Sequence, residues 1–280
     1  MENSHPRGSL PRVLTIAGTD PTGGAGVQAD LKAFMAAGAY GMSVVTALVA
    51  QNTQGVRSVH TPPLEFLQAQ LDAVLDDVTV DAVKIGMLGN ADITASVEKF
   101  LDQLAPSTPV VLDPVMVATS GDRLLDEQAE AAVRQLCSKA TVITPNLKEL
   151  AVLTDTPQAQ TFEEATVIAQ RWAADTGTAV IVKGGHLPSG DAGNAAVSAD
   201  GVLVQVSSPR VETKNTHGTG CSLSSALAAR LGAGEDLAEA LEWSTTWLHE
   251  AIANADALNV GKGHGPVDHG HMLRRLAGLS

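Results

Sequence analysis

The chain has 280 residues, 44% of them hydrophobic, and 31 acidic against 18 basic side chains give a formal net charge of -13. That length buries a sizeable core in one large α/β domain or two small ones, and the acidity argues against a general nucleic-acid binder, which needs clustered Lys and Arg, without excluding a small anionic substrate in a local pocket. Only Cys137 and Cys221 occur, without CxxC or metal-ligand spacing, so no disulfide framework or structural zinc is indicated; with no apolar leader and no run of about 18 apolar residues the expectation is a cytoplasmic protein with no membrane partner.

Residues 12–18 are a short apolar run ending in glycine, which predicts a central strand buried on both faces. The chain then turns through Thr19-Asp20-Pro21-Thr22-Gly23-Gly24, and alanines with Leu31, Phe34 and Met35 predict a helix over 25–38. Gly18 and Gly23 have the outer spacing of a Walker loop, but Gly24-Ala25 stands where Lys-Ser/Thr is required. Gly24-Ala25-Gly26-Val27-Gln28-Ala29 fits the dinucleotide fingerprint, yet the position about twenty residues on is Thr46 rather than an acid. Further strands are expected at 43–51, 82–86, 109–113, 141–144 and 179–183, and helices at 64–78, 91–104, 126–138, from 145–146 through Glu149, 161–176 and 235–255. Residues 114–123 read as a loop that can serve as a lid, and 197–206 as a hairpin turning at Asp200-Gly201, with a Gly-rich tail at the end. Alternating strands and helices imply a doubly wound, mainly parallel sheet in a single domain over 1–280, with 1–11 a flexible lead-in and no further domain at either end.

Ligands of such a sheet collect beyond the carboxyl ends of the strands. Asp20, Gln51, Met87, Asp113, Asn146, Glu149 and Lys183 stand at those ends. Residues 218–222 read as a loop feeding a helix whose first amides lack intrahelical partners, a natural anion site. Cys221 sits at that mouth, where the helix field is expected to lower its pKa; the alternative is a small buried residue in a Gly-rich turn. Asn146 and Glu149, three apart, suit either the water shell of a magnesium ion or a capping box. Asp113 adds a carboxylate or forms a turn, Lys183 neutralises phosphate or is solvated, and Gln51 matches an aminopyrimidine edge or is an exposed strand end. Lys84, inside a strand, is expected to pair with a carboxylate in a structural role. Together these groups suggest phosphoryl transfer.

Nearly end to end, the chain resembles the hydroxymethylpyrimidine/phosphomethylpyrimidine kinases of the ribokinase-like superfamily. The resemblance rests on Thr15-Ile-Ala-Gly-Thr-Asp-Pro-Thr-Gly-Gly-Ala-Gly-Val-Gln-Ala-Asp30, Thr46-Ala-Leu-Val-Ala-Gln-Asn-Thr53, Lys84-Ile-Gly-Met-Leu88, Leu112-Asp-Pro-Val-Met-Val-Ala-Thr-Ser-Gly121, Ile143-Thr-Pro-Asn-Leu-Lys-Glu149, Val182-Lys-Gly-Gly-His186 and Lys214-Asn-Thr-His-Gly-Thr-Gly-Cys221. It implies a three-layer α/β/α fold with a small β-hairpin, a homodimer, and ATP- and Mg2+-dependent phosphorylation of 4-amino-5-hydroxymethyl-2-methylpyrimidine, then of its monophosphate. On the same resemblance Gln51, Val49, Asp30, Gly18, Met87 and Val115 surround the pyrimidine, Gly218, Thr219, Gly220 and Cys221 form the catalytic anion hole with Cys221 as base, Lys183, Lys214 and Asn146 meet the nucleotide, and Glu149 and Asp113 meet the metal. Thr119 stands where some relatives carry a lysine, which leaves the cation for a monophosphate substrate open. Pyridoxal or pyridoxine kinase activity, or a non-catalytic pyrimidine-binding regulator, are the competing expectations.

Overall fold

The computed structural model describes residues 10–116, 129–186 and 191–279. In chain order they form β1 (Arg12–Ala17), α1 (Gly26–Ala36), β2 (Tyr40–Val45), β3 (Leu48–Asn52), β4 (Gly55–His60), α2 (Leu64–Leu75), β5 (Ala82–Ile85), α3 (Ala91–Leu101), β6 (Val110–Leu112) and α4 (Ala129–Cys137). There follow β7 (Val142–Ile143), α5 (Leu147–Thr154), α6 (Phe162–Thr176), β8 (Ala179–Lys183), β9 (Asn194–Ser198), β10 (Gly201–Val206), α7 (Thr219–Gly232), α8 (Leu237–Ala253) and α9 (His271–Leu276).

Eight strands make one sheet in the order β10-β9-β8-β7-β6-β5-β1-β2. The run from β2 to β8 is parallel, and β9 and β10 close the edge antiparallel. Because successive side chains in a strand point to opposite faces, Leu14 and Ile16 of β1 join the core under α2 to α6, whereas Val13 joins the core under α1, α7 and α8. The result is the expected three-layer α/β/α arrangement. Helix α7 lies deepest: Leu223, Ala226, Leu227, Ala228 and Ala229 are buried, and small residues let its axis approach the sheet closely enough to bring its first turn over the strand ends.

The strand expected at 43–51 is in fact two. Thr46 spends its hydroxyl on the Met87 carbonyl (2.6 Å) and Thr19 N–H donates to the Ala47 carbonyl (2.9 Å), so the chain leaves the sheet there and continues as the separate β3–β4 hairpin. β4, a polar-rich strand, gave no apolar run to read. The expected hairpin at 197–206 is the β9–β10 edge of the main sheet, and α9 interrupts the expected tail. Helix α7 begins at Thr219, so most of the loop read over 218–222 is already helix. Residues 1–9, the 117–123 part of the expected lid with Thr119, and the first residues of the helix read over 126–138 lie outside the described residues. Among the described residues no helix is long and apolar enough to cross a membrane.

Candidate active site

A cavity of about 800 Å³ opens at the carboxyl ends of the parallel strands. Gly18 after β1, Val49 and Gln51 on the β3–β4 hairpin, Met87 after β5 and Val115 after β6 line one part of it. Asp113, Asn146, Glu149 and Lys183 line another, and the first turn of α7, Gly218, Thr219, Gly220 and Cys221, lies in its wall. Two expected site residues are not in that wall. Asp30 is wholly buried, its carboxylate accepting from Thr15 Oγ1 (2.6 Å), Ser225 Oγ (2.7 Å) and Lys84 Nζ (2.8 Å), so in this structure it lies behind the cavity lining, next to Lys84, which is part of that lining. Lys214 is exposed to solvent; its carbonyl oxygen lies 3.1 Å from His264 Nδ1. Lys214, placed at the nucleotide by the resemblance alone, lies in the loop before α7 and outside the cavity lining.

The α7 mouth is built by backbone. Gly218 caps the helix at φ 84° with no side-chain cap; Thr219 N–H turns back to the Thr216 carbonyl (3.3 Å), and the next amides, of Gly220 and Cys221, are the ones placed to face an anion. Only glycine fits, since a Cβ on Gly218 would overlap the Gly24 carbonyl oxygen. An ideal Cβ on Gly220 lies 3.5 Å from Asp113 Oδ2 and 3.9 Å from Lys183 Nζ, which puts an ammonium beside the mouth.

At the acidic end both readings of Asn146-Leu147-Lys148-Glu149 apply. Asn146 Oδ1 accepts from Lys148 N–H and Glu149 N–H (both 2.9 Å), while Glu149 Oε2 accepts from Asn146 N–H (2.8 Å), a complete capping box that still leaves Glu149 at the cavity. Asp113 accepts from Thr144 Oγ1 (2.8 Å) and pairs with Lys183 at 3.6 Å. Burial raises the Glu149 carboxyl well above its ordinary range, Lys183 opposes the rise, and Asp113 adds to it. Two enclosed carboxylates with one ammonium between them leave room for more positive charge, which fits a hydrated divalent cation. Among the described residues no three His, Cys, Asp or Glu side chains converge as a direct metal cage.

The sulfur environment corrects one expectation. Burial, opposed by Lys84 and reinforced by Asp30 and Asp113, pushes the Cys221 thiol up to about 11, although Gly26 N–H donates to it. Desolvation therefore outweighs the helix field, and Cys221 is a neutral thiol near pH 7. Burial also works against the Lys84 ammonium, but Asp30 outweighs it and holds the amine above its ordinary value, in the structural pairing expected of it.

Ser222 ends the 218–222 stretch read as an anion site and His217 immediately precedes it; their side-chain partners come from distant segments. His217 lines the cavity with Nε2 2.8 Å from Asp20 Oδ2, and the hydroxyl of Ser222 lies 2.7 Å from the Gly218 carbonyl and 2.8 Å from His269 Nε2. Burial lowers His269 to about 4. Since the unfolded chain binds a proton between about pH 6.5 and 4 that the folded one refuses, stability is full above 6.5 and declines as pH falls to 4, by on the order of 3 kcal/mol. Urea unfolding at pH 5 and 7.5 checks this: His269→Gln is expected to lose less stability on acidification than wild type, and an equal loss would contradict it.

A family model described as phosphomethylpyrimidine kinase matches residues 20–268. The chain belongs to that family. It is 60% identical over 270 residues to the thiamine biosynthesis multifunctional protein ThiED of Corynebacterium efficiens, covering 96% of this chain and 36% of that protein. It is 50% identical over 259 residues to the hydroxymethylpyrimidine/phosphomethylpyrimidine kinase of Salmonella typhimurium, covering 92% of this chain and 97% of that protein. The chain thus spans only 36% and 35% of the length of the two Corynebacterium ThiED proteins it matches. Among solved structures, the ADP complex of Bacillus subtilis pyridoxal kinase superposes with a TM-score of 0.85 at 33% identity, over 95% of this chain and 99% of that one. A Clostridium difficile phosphomethylpyrimidine kinase gives 0.75 at 36% identity, over 86% and 99%. Fold and family are those expected from the ordered motifs.

Proposed function

We propose that this chain uses ATP to phosphorylate the hydroxymethyl group of 4-amino-5-hydroxymethyl-2-methylpyrimidine and then the resulting monophosphate, acting as a single kinase unit in the cytoplasm. The observation that carries this reading is the joining, in one cavity, of a hydrogen-bonding pyrimidine wall around Gln51 and the uncapped α7 mouth, in a chain half identical to a kinase named for these substrates. In the reaction the alcohol oxygen bonds to the γ-phosphorus as the bond to ADP breaks, and the hydroxyl proton leaves. Little covalent chemistry falls to the protein, so positioning and charge stabilisation dominate. First-turn amides of α7 and the Lys183 ammonium face the charge of the transferred group. Cys221 accepts the proton only through its thiolate, a minor form at neutral pH. Asp113 and Glu149 would hold magnesium and its waters, and the ion would supply positive charge against the nucleotide phosphates.

ADP production dependent on the pyrimidine tests the reading: turnover with both pyrimidine and monophosphate is expected, and none with either would overturn it. The likeness to pyridoxal kinases supports a second reading, which kcat/KM for pyridoxal exceeding that for the pyrimidine would favour. Gln51→Leu is expected to weaken pyrimidine binding by roughly tenfold or more, because ring polar atoms lose their partner; an unchanged Kd in calorimetry would remove Gln51 from the pocket. We also propose a homodimer. The β3–β4 hairpin exposes Leu48 and Val59, and the start of α2 exposes Leu64 and Phe66, apolar area that a second copy would cover. Light scattering at the dimer mass is expected, and a monomer at micromolar concentration would contradict it.

A further inference from the structure

We propose that Asp20 and His217 are a positioning pair for phosphoryl transfer, fixing the alcohol-side wall of the cavity against the α7 mouth. The inference rests on the kinase reading above and goes beyond it. Asp20 is completely buried, and its two oxygens are fully engaged. Oδ1 accepts from Thr22 N–H (2.9 Å) and Thr22 Oγ1 (2.7 Å). Oδ2 accepts from Gly24 N–H (3.1 Å), Ala25 N–H (2.8 Å) and His217 Nε2 (2.8 Å).

One carboxylate oxygen therefore holds two segments that are 197 residues apart in sequence. On one side is the turn that carries Gly24, whose carbonyl packs on Gly218, followed by Ala25 and by Gly26, whose amide reaches the Cys221 sulfur. On the other is His217, bonded directly to Gly218, the residue that starts the helix. The His217 backbone is anchored separately, its N–H donating to the Gly265 carbonyl (3.0 Å) and its carbonyl accepting from Val267 N–H (3.3 Å). With the main chain secured there, the side chain is free to act as a strut between the two walls. Although burial opposes charge on Asp20, His217 and the Thr22 donors hold its carboxyl well below the usual range, so the acceptor is permanently ionised.

Removing the strut leaves both walls present and lets their spacing drift. A misplacement of about 1 Å costs a transfer step roughly 10²-fold with little effect on ground-state binding. The pair thus acts through the α7 amides without touching the reacting atoms itself.

The test compares His217→Leu, His217→Gln and Asp20→Asn, each checked for a wild-type thermal transition. His217→Leu is expected to lower kcat by roughly 10- to 100-fold with KM for both substrates within about threefold, and His217→Gln, whose amide can still donate to Asp20, to recover most of the loss. A wild-type kcat in His217→Leu would overturn the proposal, as would a His217→Gln variant as slow as His217→Leu, or a loss confined to KM. Because both Asp20 oxygens accept, Asp20→Asn sets an amide NH2 against N–H donors; it is expected to be at least as slow as His217→Leu, and a wild-type kcat in it would overturn the proposal if His217→Leu fails to fold. Calorimetry with ADP alone and with ADP plus aluminium fluoride separates this proposal from the substrate assignment. If wild type fails to turn over the pyrimidine, the substrate reading falls; the pair still stands if His217→Leu weakens only the fluoroaluminate complex, and falls if both complexes match wild type.

Discussion

Gly218→Ala is expected to lower kcat by at least roughly 10²–10³-fold, the range for losing a preorganised oxyanion donor, while secondary structure by circular dichroism stays native. Gly218 holds φ 84°, a region costing an alanine about 1–2 kcal/mol, and the new Cβ would overlap the Gly24 carbonyl oxygen. Backbone on both sides must part to admit it. The parting swings the first α7 amides away from the transferred group and pulls the Gly26 amide from the Cys221 sulfur. Nucleotide and pyrimidine contacts elsewhere in the cavity remain, so binding falls far less than turnover. A Gly218→Ala enzyme with near-native kcat would show that the amides at this mouth do not carry the reaction.

Cys221→Ala is expected to reduce kcat by roughly 10²–10⁴-fold, the usual contribution of a positioned base, with the pyrimidine Kd changed only a few-fold. The pH dependence is the sharper signature. With the thiol pushed up to about 11, the proton-accepting form grows about tenfold per pH unit, so the wild-type rate climbs from pH 7 toward 10 whereas Cys221→Ala stays flat. Alkylation of Cys221 by iodoacetamide follows the same rise. Lost pyrimidine binding with normal turnover at saturation, or a wild-type rate independent of pH across that range, would remove Cys221 as the base.

Much of this site is legible in the sequence because a parallel sheet exports its strand ends to one edge: Met87, Asp113 and Lys183 each follow a short apolar run, and all three reach the cavity. Asn146 and Glu149 were legible for two roles at once, and the capping box does not withdraw Glu149 from the cavity. What the sequence hid has physical reasons. Thr46 breaks an apparent strand through a hydroxyl bond to Met87, a partner 41 residues away. Asp30, placed at the pyrimidine by the resemblance, is enclosed because Lys84, Thr15 and Ser225 satisfy it inside the fold. For Cys221 the sequence supports both a helix field and a buried turn, and burial is what sets its pKa. Asp20 and His217 meet only after the fold has formed.

The most direct measurement is a crystal structure with the hydroxymethylpyrimidine and a non-hydrolysable ATP analogue. The ring is expected against Gln51 and the Val49 backbone, with its hydroxymethyl oxygen in contact with the Cys221 sulfur and aimed at a γ-phosphate lodged on the Gly220 and Cys221 amides. A pyrimidine bound with its hydroxymethyl group turned away from that helix mouth, or a γ-phosphate held elsewhere in the cavity, would contradict the account.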